Sequence, residues 1–402
     1  MAKPQSAADL RKQIAEHQAN LVRLGEAWGQ RIVDELDDAD RATIARLKSM
    51  LDDLDYRRNT AEGAEQLEYI RKKLEQIRVK AYRQAEKKIR QEAFELMPNE
   101  VKWARRVLLA FLGSHAADIP DSISEARQKR IVKNAVIQNK SWEEWWTHTA
   151  DADVQRIAEM VNEGVNQGWT IAEMTRNIMG TKKENYSDGI LSTNRAHARS
   201  MARTICSGIA NQAKDDFFRA NSDVCTGVEW LDTLDGRTCM RCAPLSRKRW
   251  KIDEPHPVPP LHPNCRCVLL PVTPASDFAD EQRPAAKSDF MADAKRAYEE
   301  KYPKKTWEDL AESTRQKYYY DAIRDYEKRT GEPAFEQVSG GMSFQEYFET
   351  VMTEQQRKEW LGPARYKMYL KGWKFSDFIT PWPQKTMTVK QLKALDLTSF
   401  EQ

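Results

Sequence analysis

Long apolar runs are missing from this 402-residue chain. None approaches the roughly 18 residues that a bilayer-spanning helix needs. The longest, Val107-Leu-Leu-Ala-Phe-Leu112, suits a buried core helix. Net charge is nearly missing as well: 64 Lys and Arg against 61 Asp and Glu leave +3 at pH 7. The chain is therefore not a polycation, and contact with nucleic acid has to come from local patches. Histidine is scarce, with six in all, and only His256 and His262 lie near cysteines. There is no HExxH pair and no phosphate-cradling glycine loop, which disfavours the enzyme classes built on them. The opening Met-Ala-Lys-Pro-Gln-Ser lacks an apolar signal core, so a reducing host cytoplasm is the expected place of synthesis.

Helical periodicity dominates what is present. Ile14, Leu21, Leu24, Trp28, Ile32 and Leu36 recur at spacings of three, four or seven, predicting a long amphipathic helix over 5–58. Gly63 marks an expected break. Leu67, Ile70, Leu74, Ile77 and Ala81 then form the 3-4-3-4 seam of a bundle, and Met97-Pro98-Asn99 is expected to end that helix. Trp142, Trp145 and Trp146 read as packing, and Thr170-Ile-Ala-Glu173 as a capping box. Arg195, Arg199 and Arg203 lie on one side of a helix over 193–221. Val228–Leu231 and Cys267–Leu270 read as paired strands. The expected architecture is mainly α: a long helical N-terminal region (1–100), a central α+β module (101–272) with a small cysteine-rich, zinc-knuckle-like β element, a proline-rich linker (273–290), and a helical C-terminal unit (291–402). Thr306-Trp-Glu-Asp309 is expected to cap a helix in that unit.

Four of the six cysteines fall within the 29 residues from Cys239 to Cys267. Cys239-Met-Arg-Cys242 and His262-Pro-Asn-Cys265-Arg-Cys267 are separated by 19 residues. Two tight clusters of thiolate and imidazole can converge on one tetrahedral Zn²⁺. Five donors compete for four positions: Cys239, Cys242, Cys265 and either His262 or Cys267. Cys265 and Cys267 share a face only if the chain turns between them. Reduced packing cysteines and a disulfide remain open alternatives.

Ahead of the first cysteine, Trp230 and the Asp235-Gly-Arg237 turn read as structural, with a salt bridge or turn cap as the role of the charged pair. Two basic tracts stand out. Residues 71–90, with Arg71, Lys72, Lys73, Arg78 and Lys80 among nine cations, carry two acids. Residues 236–251, with Arg241, Arg247, Lys248 and Arg249 among six, carry none. Both suit sequence-independent phosphate contact.

The line Trp230…Asp235-Gly-Arg237-Thr238-Cys239-x-x-Cys242, then Pro260-Leu-His262-Pro-Asn-Cys265-Arg266-Cys267, closely resembles the minor head proteins of tailed phages, the Mu F-like head morphogenesis family. The resemblance covers about 155–272. It departs at Ile205, where the family commonly reads Glu after Arg-Thr. It implies a virion protein of the capsid interior, near the portal, with portal, scaffold or major capsid protein and packaged DNA as partners, acting in capsid assembly, DNA packaging or ejection. The expected role is architectural rather than enzymatic. A metal-dependent or toxin-like enzyme packaged in the virion is the alternative.

Overall fold

The computed structural model describes residues 7–51, 61–112, 119, 123–184, 186–274, 282–303, 307, 310, 312–380 and 385–398. Twelve α-helices and three small sheets stand among those residues, so the fold is mainly α. Helices α1 (Ala7–Leu51), α2 (Ala61–Leu112), α4 (Trp142–Gln167) and α6 (Ile190–Ala220) form the body. Their apolar stripes meet in one core that joins Trp28, Ile32 and Leu36 of α1 to Tyr82 and Ile89 of α2, Trp142 and Trp146 of α4, and Ile205 and Ile209 of α6. Ile205 is fully buried, as its apolar side chain requires. Nearer the start of α2, Ile70 and Leu74 pack with Ile157 and Val161. Glycines set the α1–α6 spacing. A Cβ at Gly25 or Gly29 would lie 2.8 or 2.9 Å from the Cα of Arg203 or Arg199.

The capping box at Thr170 forms with Glu173, and a second joins Ser141 to Glu144 at the start of α4. Short α3 (Glu125–Asn134) and α5 (Ile171–Met179) complete the body, with the two-stranded hairpin β1 (Val136–Ile137) and β2 (Lys140–Ser141).

Two helix boundaries differ from the sequence expectation. Gly63 lies within the first turn of α2, which begins at Ala61, and residues 52–60 lie outside the described residues. Pro98 does not end α2, which continues to Leu112. A proline inside a helix costs about 3 kcal/mol. Here Met97, Val101, Ala104 and Leu108 on either side of it are at most 1% exposed. Burying one such large side chain contributes roughly 1.5–3 kcal/mol, so several outweigh the local cost.

The central sheet has the order β4-β3-β5, all antiparallel, with β3 (Gly227–Leu231) between β4 (Arg249–Lys251) and β5 (Val268–Val272). Glu229 pairs with Leu270 and Trp230 with Leu269, as the two apolar runs suggested. The sheet shares a core with Phe217 and Phe218 of α6 and with Leu108 of α2.

Part of the stretch read as a linker is ordered sheet. Strand β6 (Gln282–Ala286) pairs antiparallel with β7 (Phe335–Ser339), and α7 begins at Phe290. Residues 275–281 and most of the capping motif at 306–309 lie outside the described residues. The remaining helices are α7 (Phe290–Lys301), α8 (Glu312–Thr330), α9 (Phe344–Thr350), α10 (Glu354–Leu361), α11 (Pro363–Leu370) and α12 (Val389–Thr398). Their aromatic core takes in Leu234, Met240 and Ala243 from the cysteine region. Trp360 Nε1 donates to Thr238 O at 2.7 Å, and Phe344 N to Ser246 Oγ at 2.8 Å. The cysteine region is thus packed between the body and the C-terminal helices.

Candidate metal centre

The two cysteine clusters sit on turns, not on strands. Cys242 N and Ala243 N donate to Cys239 O at 3.0 and 2.9 Å, which winds Cys239–Cys242 into a knuckle. Asn264 adopts a left-handed conformation (φ 59°), which Asn tolerates better than most residues, and Cys265 N reaches back to His262 O at 3.2 Å. The chain therefore turns before Cys265 and enters β5 only at Val268. Residues 265–267 lie outside any strand, so Cys265 and Cys267 are free of opposite-face alternation.

All five predicted donors come together. Cys239, Cys242 and His262 present ligand atoms within 4.8 Å of one another, as do Cys242, Cys265 and Cys267. Cys242 belongs to both groups. Its Sγ lies 3.7 Å from that of Cys265. A disulfide requires about 2.05 Å, and every cysteine here is free. Metal–sulfur bonds of about 2.3 Å place tetrahedral ligands about 3.8 Å apart, so this pair fits a common ion. His262 Nδ1 faces Pro263 O at 2.9 Å, leaving Nε2 for a ligand role.

Hydrogen bonding within the cluster splits its thiols, drawing two toward the thiolate and two away from it. Hydrogen bonding from Cys242 draws the Cys239 thiol down to about 4. Cys265 is held well below the ordinary thiol value by Cys242 and Cys267. Cys242, hydrogen-bonded to Cys239 and Cys265, is pushed up. Cys267 is also raised: its hydrogen bond with Cys242 lowers it, but Cys265 and burial outweigh that. Burial lowers His262, yet hydrogen bonds to Cys239 and Cys265 carry it up to about 10.

Asp235 is ion-paired, and its main partner is not Arg237 but Arg266. Arg266, between the last two cysteines, grips it with two hydrogen bonds of 2.7 and 2.6 Å. Arg237 stands farther off, at 3.5 Å. The Asp235 carboxylate also accepts from Arg237 N at 3.0 Å and closes the turn before Cys239. Burial raises its pKa, but Arg266 dominates and holds the carboxyl well below the usual range. This bridge ties the two cysteine clusters together across 31 positions. Arg266 was the residue missed from sequence; its place in Cys-Arg-Cys was the available signal. Trp230 is fully buried beneath the cluster, in the core shared with Cys242, Cys265 and Cys267.

The basic tracts fare differently. Arg78, read as a phosphate contact, is wholly buried and ion-paired to Asp153 (2.6 Å) and to Asp40. Arg71 pairs with Glu68 at 2.8 Å and Lys72 lies 3.9 Å from the same carboxylate. Lys73 lies over the Tyr69 ring. Lys80, Arg83 and Lys87 are exposed, with no acidic partner among the described residues. In the second tract Glu229 of β3 neutralises Arg247 and Arg249, and the Arg247 side chain is only 14% exposed. Sequence position hid that pairing, since Glu229 precedes the tract. Lys248 stays exposed, and Arg241 is partly buried.

A helical body carrying a small sheet and a Cys/His cluster defines the protein's class. Within it, residues 155–270 match the family model described as Phage Mu protein F like protein, and this central region is Mu F-like. The family is one of phage head morphogenesis, so the expected association is with the virion and with other phage head proteins. Comparisons with curated proteins and with solved structures give no match. Among the described residues no helix is long and apolar enough to cross a membrane.

Proposed function

We propose that the protein is an architectural minor head component whose cysteine module is held by one Zn²⁺. It acts in prohead assembly and in DNA packaging or ejection, inside the capsid near the portal. The carrying observation is the convergence of five soft donors within the Mu F-like region. Cys239, Cys242, Cys265 and His262 are the proposed ligands. His262 interacts with both Cys239 and Cys265, whereas the thiol interactions of Cys267 are with Cys242 and Cys265. Bound zinc supplies cross-linking of two turns that share little core of their own. Four protein ligands leave no open position for a reacting water. Asp235, the carboxylate an enzyme reading would choose, is consumed by Arg266. Both considerations favour an architectural over an enzymatic role. Portal, scaffold or major capsid protein are the proposed partners of the long α1–α2 arm and the C-terminal helices. Packaged DNA is the proposed partner of Lys80, Arg83, Lys87 and Lys248.

The test is metal analysis combined with prohead incorporation. Wild type should hold about one zinc per chain, Cys239→Ser should lose it and enter proheads poorly, and Cys267→Ser should retain it. Wild-type protein free of zinc, or Cys239→Ser particles that are normal in assembly and DNA delivery, would overturn the reading.

A further inference from the structure

A cleft of about 540 Å³ runs along one face of α6, next to the turn that carries His262. Arg199, Arg203 and Arg315 line it, with His197, Ser200 and Asn264. It is built from α4, α5, the turn at 187–189 and α6 of the body, from Asn264 of the cysteine module, and from Leu310 and Arg315 of the C-terminal region. The module's turn is held to α6, because Arg203 Nε donates to Asn264 Oδ1 at 2.7 Å.

The close α1–α6 crossing explains where the arginines go. Gly25 and Gly29 make room on α1 for Arg203 and Arg199, whose Cγ atoms lie 3.3 and 3.0 Å from where a Cβ on those glycines would stand. Both guanidinium groups reach α1, where they share one carboxylate and Arg199 also donates to Gln30 at 3.0 Å. Glu26 lies 2.5 Å from Arg203 and 3.7 Å from Arg199. Asp188, the one acid among the described residues that line the cleft, is occupied in accepting from Thr181 N (2.6 Å) and Thr181 Oγ1 (2.9 Å). Arg195, one turn before, is balanced separately by Asp37 and Asp40. Arg199 is accordingly held below the ordinary arginine value, first by burial and then by Arg195, Arg203 and Arg315, against the pull of Glu26. An anion between the guanidinium groups removes that repulsion.

We infer that this cleft is a phosphate site that receives a backbone phosphate of DNA. Guanidinium forks arriving from two helices match an oxyanion with several acceptor oxygens. Among the described residues no Trp, Tyr or Phe lines the cleft, so the large rings on which bases most often stack are missing from it. It therefore holds phosphate without reading sequence. The site stands on its own residues; the source of the phosphate rests on the DNA-contacting role proposed above.

The experiment uses the full chain, a labelled duplex oligonucleotide in an anisotropy titration, and inorganic pyrophosphate as competitor, with ionic strength matched by NaCl. Arg315→Glu and Asn177→Asp are the variants. Asn177 lines the same cleft, and its near-isosteric change adds a negative charge without altering packing. Circular dichroism and melting confirm that each is folded. Each variant should bind DNA about tenfold more weakly, the scale of one charged hydrogen bond. Pyrophosphate should displace DNA from wild type at lower concentration than NaCl of equal ionic strength. Unchanged affinity in both variants, alongside weakened binding in Lys80→Glu/Arg83→Glu/Lys87→Glu, sinks the cleft and leaves the DNA-contacting role standing. A wild type that binds no DNA sinks both. Pyrophosphate that raises the melting temperature but never displaces DNA overturns DNA as the source.

Discussion

The helical body and the two cysteine turns set their main ion pairs in different surroundings. In the body, Arg78 lies wholly buried between Asp40 and Asp153, and long apolar stripes from four helices surround it. In the module, Asp235 and Arg266 remain partly exposed, at 17% and 20%, and the apolar surface is borrowed from α6 and from the C-terminal helices. The body can carry a buried ion network because its apolar burial far exceeds the network's desolvation cost. We expect the two cysteine turns to depend instead on cross-links: one salt bridge and one cluster of groups that could hold a metal ion.

The largest expected effect tests that dependence. Chelation of wild type, or Cys239→Ser, should unfold the module while far-UV circular dichroism keeps most of the helical signal. The binding energy at stake is about 10–16 kcal/mol in zinc-finger peptides. A single cooperative loss of all helix on chelation would erase the contrast between the regions. Arg78→Ala comes next. It strands two buried carboxylates and should cost about 3–5 kcal/mol, measured by urea denaturation, with zinc content unchanged. Asp235→Ala should cost less, about 1–3 kcal/mol, because water reaches the pair. It should also weaken zinc retention, whereas Arg78→Ala should not.

Acid sharpens the comparison further. Glu100 of α2 is 1% exposed, 3.4 Å from Lys214 and 3.0 Å from His17. Burial raises its carboxyl, but Lys214 and then His17 outweigh burial and hold it below its ordinary 4.5. The folded state thus favours the ionised form. That stabilisation is complete above pH 4.5 and is lost as pH falls toward the lower folded value. Glu100→Gln should lower body stability at neutral pH and flatten its acid limb in melting curves taken between neutral and acid pH. The smallest effect on stability belongs to Lys80→Ala/Arg83→Ala/Lys87→Ala. Its melting temperature should match wild type, while the slope of log affinity for duplex DNA against log salt falls by roughly 0.9 for every phosphate that the variant no longer neutralises.

What the sequence decided by itself is what depends on near neighbours. Apolar spacing determined α1, the α2 seam and the tryptophans of α4. The Thr170–Glu173 capping box followed from residues three apart. The five donors were legible because each cluster spans only a few residues, whichever fold surrounds them. The tertiary structure decided everything that rests on distant partners. Pro98 sits inside a helix because residues far along the chain bury its neighbours. Arg78 and Arg247 look like any surface cation in the sequence, yet Asp153 and Glu229 take them out of play. Arg266 meets Asp235 only after two turns fold against each other. Local periodicity and ligand spacing are properties of a short stretch. The fate of a charge is set by which opposite charge, and how much apolar surface, the rest of the chain brings beside it.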